Sequence, residues 1–254
     1  MNYQMDWSVL WEERFLHLFA QGLMGTLLLT VVSSLLSLAL GSAVAYLRGC
    51  NSRLGRSFAL VYIEVFRGVP ALMQIMFWGF AFPLLFPLEL RIQLLYRNSL
   101  LAWVSSWSGL PINFEFMAAT LGLSLNTSAY IAEILRSGIN AVSPGEVQAA
   151  RASGFSTFQI YRYLLFPQAL RRMFPPLSTR LLHNMKNTAL ASVISTEELF
   201  RQARVAISYT FRGPEFLVEV TVIYLLLSWS VVLMIRLTEH TLRRRGLLLN
   251  FQER

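Results

Sequence analysis

The stretch from Ser143 to Arg172, SPGEVQAARASGFSTFQIYRYLLFPQALRR, decides how the rest of the chain is read. Ser143 followed by Pro144 and Glu146 has the pattern of a capping box with proline at the first helical position, which predicts a short helix through Ala149 and Ala150. Gly154 is placed to stop it, in the left-handed backbone conformation that glycine adopts at helix ends. Ser156 with Gln159 repeats the box, and Phe158, Tyr161, Leu164 and Leu165 continue a second helix up to Pro167, which is expected to end it. The expected unit is a helix, a glycine turn and a second helix.

Two short helices around a glycine also describe a DNA-binding helix-turn-helix. The flanks argue against that reading. Long apolar runs with hardly a charge lie on both sides, and a module held this closely between membrane spans has no access to a major groove. The expectation is a cytoplasmic loop and no nucleic-acid partner.

With those residues in view, the segment resembles the "EAA" loop of ABC-importer permeases, in which a glutamate and two alanines precede a glycine and an Ile-x-Leu-Pro ending. The matching positions are Gln148, Ala149, Ala150, Gly154, Leu164, Phe166 and Pro167, with Gln148 and Phe166 departing from glutamate and leucine. Glu64-Val-Phe-Arg67-Gly68-Val-Pro70, the run from Leu123 to Arg136, and Met185-Lys186-Asn187-Thr188 resemble the polar amino-acid branch of the same family. The resemblance implies an all-α integral membrane protein of the MetI-like permease fold. It also implies that Glu146, Gln148, Ala149, Ala150, Gly154, Leu164, Phe166 and Pro167 contact an ATPase. The implied assembly has two ATPase subunits, a second permease subunit (a copy of this chain or a sister), an extracytoplasmic substrate-binding protein and the lipid bilayer. The implied cargo is a polar amino acid or a relative such as an opine.

Composition points to a membrane protein without the family. The 254 residues are 55% hydrophobic and only 14% charged, too little polar surface for a soluble core of this length. A span needs about 20 apolar residues to cross roughly 30 Å of hydrocarbon. Five segments within a single domain qualify, at about 22–47, 58–86, 116–135, 175–195 and 216–237, with 143–172 between the third and fourth. Gly25, Ser33, Ser34, Gly41 and Ser42 in the first are small residues suited to close helix packing. Pro70 and Pro83 are expected kinks in the second. Asp6, Glu12 and Glu13 give the amino terminus an acidic overhang, expected to stay on the mature chain, in place of the basic start of a signal peptide.

The +8 balance is distributed as an orientation signal. Lys and Arg number 1 before the first span, 3 after it, 2 after the second, 7 from Arg136 to Lys186, 3 between the fourth and fifth, and 5 toward the tail, where Arg243 to Arg245 cluster. High and low alternate, so the amino terminus is expected outside and the carboxy terminus in the cytoplasm of a bacterial inner-membrane protein. The run 98–114 tempts a sixth span, but Gly109, Pro111, Trp103 and Trp107 fit an interfacial segment and a sixth crossing breaks the alternation. Thr196, Glu197 and Glu198 read as the cap of a short outer helix through about Ala206.

No P-loop, nucleophile elbow, His-Glu-x-x-His pair or cysteine-histidine metal spacing occurs, so the chain reads as no enzyme and implies no cofactor or metal. Ionisable groups inside spans are costly and face a cavity or a partner. The fourth segment is unusually polar, holding Arg180, His183, Asn184, Lys186 and Asn187. Lys186, the only lysine, either snorkels to the cytoplasmic face or lines a polar pathway beside Asn187, Thr188 and His183. Asn126, Thr127, Ser128 and Tyr130 read equally as interhelical hydrogen-bond glue or as pathway. Glu64 with Arg67, and Glu133 with Arg136, are spaced for local ion pairs on their own helices. A self-sufficient secondary transporter or channel is the alternative, and internal inverted repeats, its signature, are not visible.

Overall fold

The computed structural model describes residues 3–50, 52–108 and 112–244, and among these there is no strand. After a short 3-10 turn at Trp7–Trp11, α1 spans Glu13–Gly49, α2 Arg53–Gly68 and α3 Ala71–Leu84, the last containing a π-helical stretch at Phe77–Ala81. Then come α4 (Ser99–Ser108), α5 (Phe114–Asn140), α6 (Pro144–Ala152), α7 (Phe166–Asn187), α8 (Leu199–Thr210) and α9 (Gly213–Arg244). By length and apolarity α1 and α9 each suffice to cross a membrane, as does the bent pair α2–α3 if it is counted as one span. Gly109 and Pro111 of the interfacial segment, and Arg245 of the arginine cluster, lie outside the described residues.

Helix α1 is the axis of the bundle, packed along α5 and touching α2, α7 and α8. Its small residues make this possible. A Cβ at Gly41 would sit 2.8 Å from the Ser128 carbonyl oxygen on α5, and one at Gly25 would overlap the Glu197 carbonyl oxygen before α8. Ser33 and Ser37 are fully buried, and across the α1–α5 seam Ser37 donates to the Ser124 carbonyl and Ser124 to the Ser33 carbonyl, each at 3.3 Å. Three apolar clusters complete the core: Leu29, Ile75, Phe116 and Leu123; Phe15, Phe19, Leu199 and Phe216; and Val44, Ala59, Ile63 and Ala132.

The segment expected as the second span is not a kinked helix but a broken one. Helices α2 and α3 meet at 102° across Val69 and Pro70. Proline has no N–H, so Pro70 leaves the Phe66 carbonyl without its helical donor, and the chain turns there instead of bending gently. Tyr62 packs at the level of Ser128, the Phe66 carbonyl at Asn126 and Ile75 at Gly122, so the break sits near the middle of α5.

The 143–172 segment follows the sequence closely at its turn and departs from it at both ends. Gly154 has φ +82, and the Gly154 and Phe155 N–H groups reach back to the Arg151 and Ala150 carbonyls at 3.0 and 3.1 Å, the paired bonds of a Schellman motif. The Ser156–Gln159 capping box is formed. Ser143 makes no side-chain cap bond, and the Glu146 side chain accepts from Gln168 Nε2 at 2.6 Å instead of completing a capping box. Pro167 does not end the second helix. Thr157–Gln159, the π-helical Ile160–Leu165 and α7 run on as one helix, and the wider π turn accommodates the missing N–H and ring of Pro167 at the start of α7.

The α8 cap and the amino terminus add detail that the sequence reading lacked. Glu198, not Thr196, caps α8, accepting from the Phe200 and Arg201 N–H groups at 2.9 and 2.6 Å, and the helix continues to Thr210. Thr196 donates instead to the Glu115 carbonyl at 3.1 Å. The acidic amino terminus is fastened down: Arg212 bridges Asp6 at 3.4 Å and Glu215 at 3.2 Å, and Tyr3 donates to Glu215. Hydrogen bonds from Ser8 hold the Asp6 carboxyl below the usual carboxylate range.

Candidate functional site

A polar cluster surrounds the α2–α3 break. Asn126 Nδ2 donates to the Phe66 carbonyl at 3.0 Å and the Val69 carbonyl at 3.4 Å, and Gln74 Nε2 donates to the same two oxygens at 2.9 Å each. Two amide side chains thus cap the backbone that Pro70 leaves open. From α7, Arg180 donates to Asn126 Oδ1 at 2.6 Å and Thr127 Oγ1 at 3.1 Å, with its guanidinium 3.8 Å from the Tyr130 ring centroid. Thr127 also donates to Asn184 Oδ1 at 2.9 Å, and Asn184 Nδ2 reaches Ser33 and Ser34 on α1 at 2.8 and 3.1 Å. The network joins five helices, α1, α2, α3, α5 and α7. Asn126, Thr127 and Tyr130 therefore do bind helices together, around an arginine.

Helix α7 has an inverted character for a membrane helix. It buries Ala169, Met173, Ser178, Asn184 and Met185, while Pro176, Thr179, His183 and Lys186 are exposed at helical spacing on one face. On α9 the exposed face is Leu217, Val222, Leu225, Trp229, Leu233 and Leu237. An apolar face suits lipid; a face carrying His183 and Lys186 does not. Asn187 is half-buried beside that face, and Thr188 is fully buried with its hydroxyl on the Met185 carbonyl at 2.6 Å, so Thr188 lies off the polar face.

The expected local ion pairs do not form. Glu133 pairs with Arg48 of α1 and lies 3.7 Å from Arg67 of α2, so it ties three helices, and neither Glu64–Arg67 nor Glu133–Arg136 closes to 4 Å. Packing of α1 and α2 against α5 brings these cations closer to Glu133 than its own helix neighbour, and Arg67 additionally lies 5.3 Å from the Tyr130 ring centroid.

Helix α6 buries none of its residues: Glu146, Gln148 and Ala149 are exposed and Ala150 half-buried. Beyond the turn Phe166 is exposed, and Leu164 and Pro167 are half-buried. The motif residues form a capped, outward-facing unit joined by Glu146–Gln168 to the base of α7.

An apolar bundle with one polar helix face, a helix broken opposite the middle of α5 and an unburied capped helix at one end has the features of a membrane transport subunit. The chain belongs to the family of binding-protein-dependent transport system inner membrane components, whose model matches residues 37–244. It is similar to the glutamine transport system permease protein GlnP of Escherichia coli K12, 32% identical over 94% of this chain and 99% of that protein. The nopaline transport system permease protein NocM of Agrobacterium fabrum is 33% identical over 84% and 83%. Among solved structures, an amino acid ABC transporter crystallised with histidines is 28% identical with a TM-score of 0.75, covering 94% of this chain and 100% of that one. An inward-facing MetNI methionine transporter shares the fold, with a TM-score of 0.58 at 17% identity over 89% and 98%. The chain is thus a permease subunit and not an enzyme. ATP hydrolysis belongs to a separate subunit, and a substrate-binding protein is a partner of the family.

Sequence reading named Arg180 and Asn184 only as signs of a polar span, and it missed Gln74. The signal for both was available in the sequence: a charge within a span demands neutral polar partners, and a proline break demands donors for the carbonyl it frees.

Proposed function

We propose that this chain is a five-span permease subunit importing a polar amino acid or an opine-like derivative, with its amino terminus outside and its carboxy terminus in the cytoplasm. The observation that carries the pathway is the exposed polar face of α7, with Thr179, His183 and Lys186, on a bundle whose other long helices expose apolar side chains. Lys186, Asn187 and the Asn126–Thr127–Tyr130 cluster behind Arg180 belong to that pathway. A second permease subunit facing α7 completes its wall, since one copy leaves the face open. The names of GlnP and NocM support the substrate class.

Residues 143–172 dock on the ATPase. The unburied α6, its rigid Schellman end and the motif positions Gln148, Ala149 and Ala150 support this, as a capped helix is a shape that fits a partner's groove. In proteoliposomes holding the permease with its ATPase and binding protein, one of labelled L-glutamine, L-glutamate, L-arginine or nopaline accumulates in an ATP-dependent way. Cysteines at Ala149 or Ala150 crosslink to the ATPase and not to the binding protein. Accumulation of none of the four removes the substrate reading, and absence of both crosslinks removes the docking reading.

A further inference from the structure

A groove of about 790 Å³ opens where the ends of α1 and α5 meet the helix that leads into α7. α1 and its cap contribute Ser42, Tyr46 and Cys50, α5 contributes Leu135, and the π-helical run entering α7 contributes Tyr161, with Phe166 beyond it. No side chain lining it is charged. The volume falls in the range of small-molecule sites, about 300 to 1,000 Å³. Tyr46 is 74% exposed and Tyr161 53%, so the aromatic walls stand open, and an exposed apolar concavity of this kind marks a site for something else.

Two observations select the occupant. The first is continuity with the apolar surface of the bundle. Leu27, Val31, Leu35, Ala39, Ser42 and Tyr46 are exposed at spacings of three and four, so they form one stripe along α1. From Leu27 to Tyr46 the stripe rises about 29 Å, close to the roughly 30 Å of hydrocarbon, and its last two members line the groove. The second is charge at the rim. Arg56 donates to the carbonyl of Cys50 at 3.4 Å, which holds its guanidinium at the groove's edge, and Arg53 stands one turn before it on α2. Both are exposed, neither has a carboxylate within 4 Å among the described residues, and the first turn of α2 holds no acidic residue. Arg48 is already paired with Glu133. An apolar chain that enters from the bilayer and ends in an anion answers both observations. A second copy joined through this same patch brings the same cations and no counter-charge.

We propose that this groove holds one acyl chain of an anionic phospholipid whose phosphate is bound by Arg53 and Arg56. The chain covers the Tyr46, Tyr161 and Phe166 rings, and charge-assisted hydrogen bonds from the two guanidinium groups hold the phosphate. Tyr161 and Phe166 belong to the helix that begins beside the Gly154 turn, so the lipid packs between α1 and that helix. The site requires only that the chain lies in a membrane; it does not depend on the cargo, the pathway or the orientation of the termini.

The test uses the detergent-solubilised permease–ATPase complex and phosphatidylglycerol carrying a diazirine midway along one acyl chain. After irradiation, labelled peptides are expected from 42–50 and 161–173. Unlabelled phosphatidylglycerol is expected to compete about tenfold or more better than phosphatidylcholine, the effect of a charged hydrogen bond, and inorganic phosphate is expected not to compete. Replacing both rim cations, Arg53→Gln with Arg56→Gln, brings the two lipids level while the groove peptides are still labelled. Ser42→Trp fills the groove and removes their labelling. Wild-type labelling spread evenly along the exposed faces of α1 and α9 overturns the site, whether or not any variant assembles, because it describes lipid that merely surrounds the protein. Equal competition by the two lipids in wild type overturns it, as does full displacement by inorganic phosphate or labelling that survives Ser42→Trp. A Cys50–Cys50 crosslink between two permease copies gives the groove to protein and also overturns the proposal.

Discussion

Replacing Gly154 by valine isolates the backbone of the segment proposed to dock on the ATPase. Gly154 has φ +82, and a Cβ built on it meets nothing within 4 Å, so valine there clashes with no neighbour. The whole effect is conformational: a branched L-residue in the left-handed region costs about 1 to 2 kcal/mol. Relaxing φ instead breaks the Gly154–Arg151 and Phe155–Ala150 bonds, worth about 1 kcal/mol each, so neither route is free. Either way the population of the capped turn falls by roughly five- to thirtyfold relative to its alternatives. In proteoliposomes the measurement is ATP hydrolysed per amino acid imported, together with ATPase retained on the purified permease. Gly154→Val is expected to raise the ratio several-fold or to lose ATPase, with the binding protein's own affinity unchanged. Gly154→Asn, which tolerates the left-handed region, is expected to stay near wild type. Wild-type coupling in the valine variant refutes the reasoning, as does equal damage from asparagine, which points to side-chain bulk instead of backbone.

Three further outcomes are expected. Lys186→Met lowers uptake while assembly and basal ATP hydrolysis hold; unchanged uptake assigns Lys186 to snorkelling. Gly25→Ala destabilises the detergent-solubilised protein by about 1 to 3 kcal/mol or more through overlap with the Glu197 carbonyl, whereas Gly49→Ala, with open space around it, leaves the thermal midpoint near wild type. In a Cys50→Ser background, an impermeant thiol reagent labels Met5→Cys in intact cells and does not label Thr241→Cys; the reverse pattern inverts the proposed topology.

The features legible in the sequence were those set by local rules. The Ser156–Gln159 box, the left-handed Gly154, the long apolar α1 and α9 and the small residues along α1 follow from capping, backbone sterics and packing, each visible within one segment. Features set between segments were not. Glu133 has Arg136 at hand one turn away, yet packing brings Arg48 and Arg67 to it from two other helices. Pro167 looks like a terminator until the π turn before it is known, and Pro70 looks like a kink although the chain turns through 102°. Arg180 was visible as a charge in a span, but its place on Asn126, Thr127 and Tyr130 depends on the α5–α7 contact.

The uninterrupted run from Thr157 to Asn187 has a mechanical consequence. At about 1.5 Å per residue it is a rod roughly 45 Å long, starting next to Gly154 and carrying Arg180 and Lys186 near its far end. With the π turn splinting Pro167, the joint available between α6 and this rod is the glycine turn itself. A tilt of about 10° at the near end sweeps the far end by about 8 Å, the width of a helix contact. Under the proposed docking, work done at the Gly154 end is delivered toward Arg180 as displacement, and the interior prolines Pro175 and Pro176 are the points along the rod where it can give.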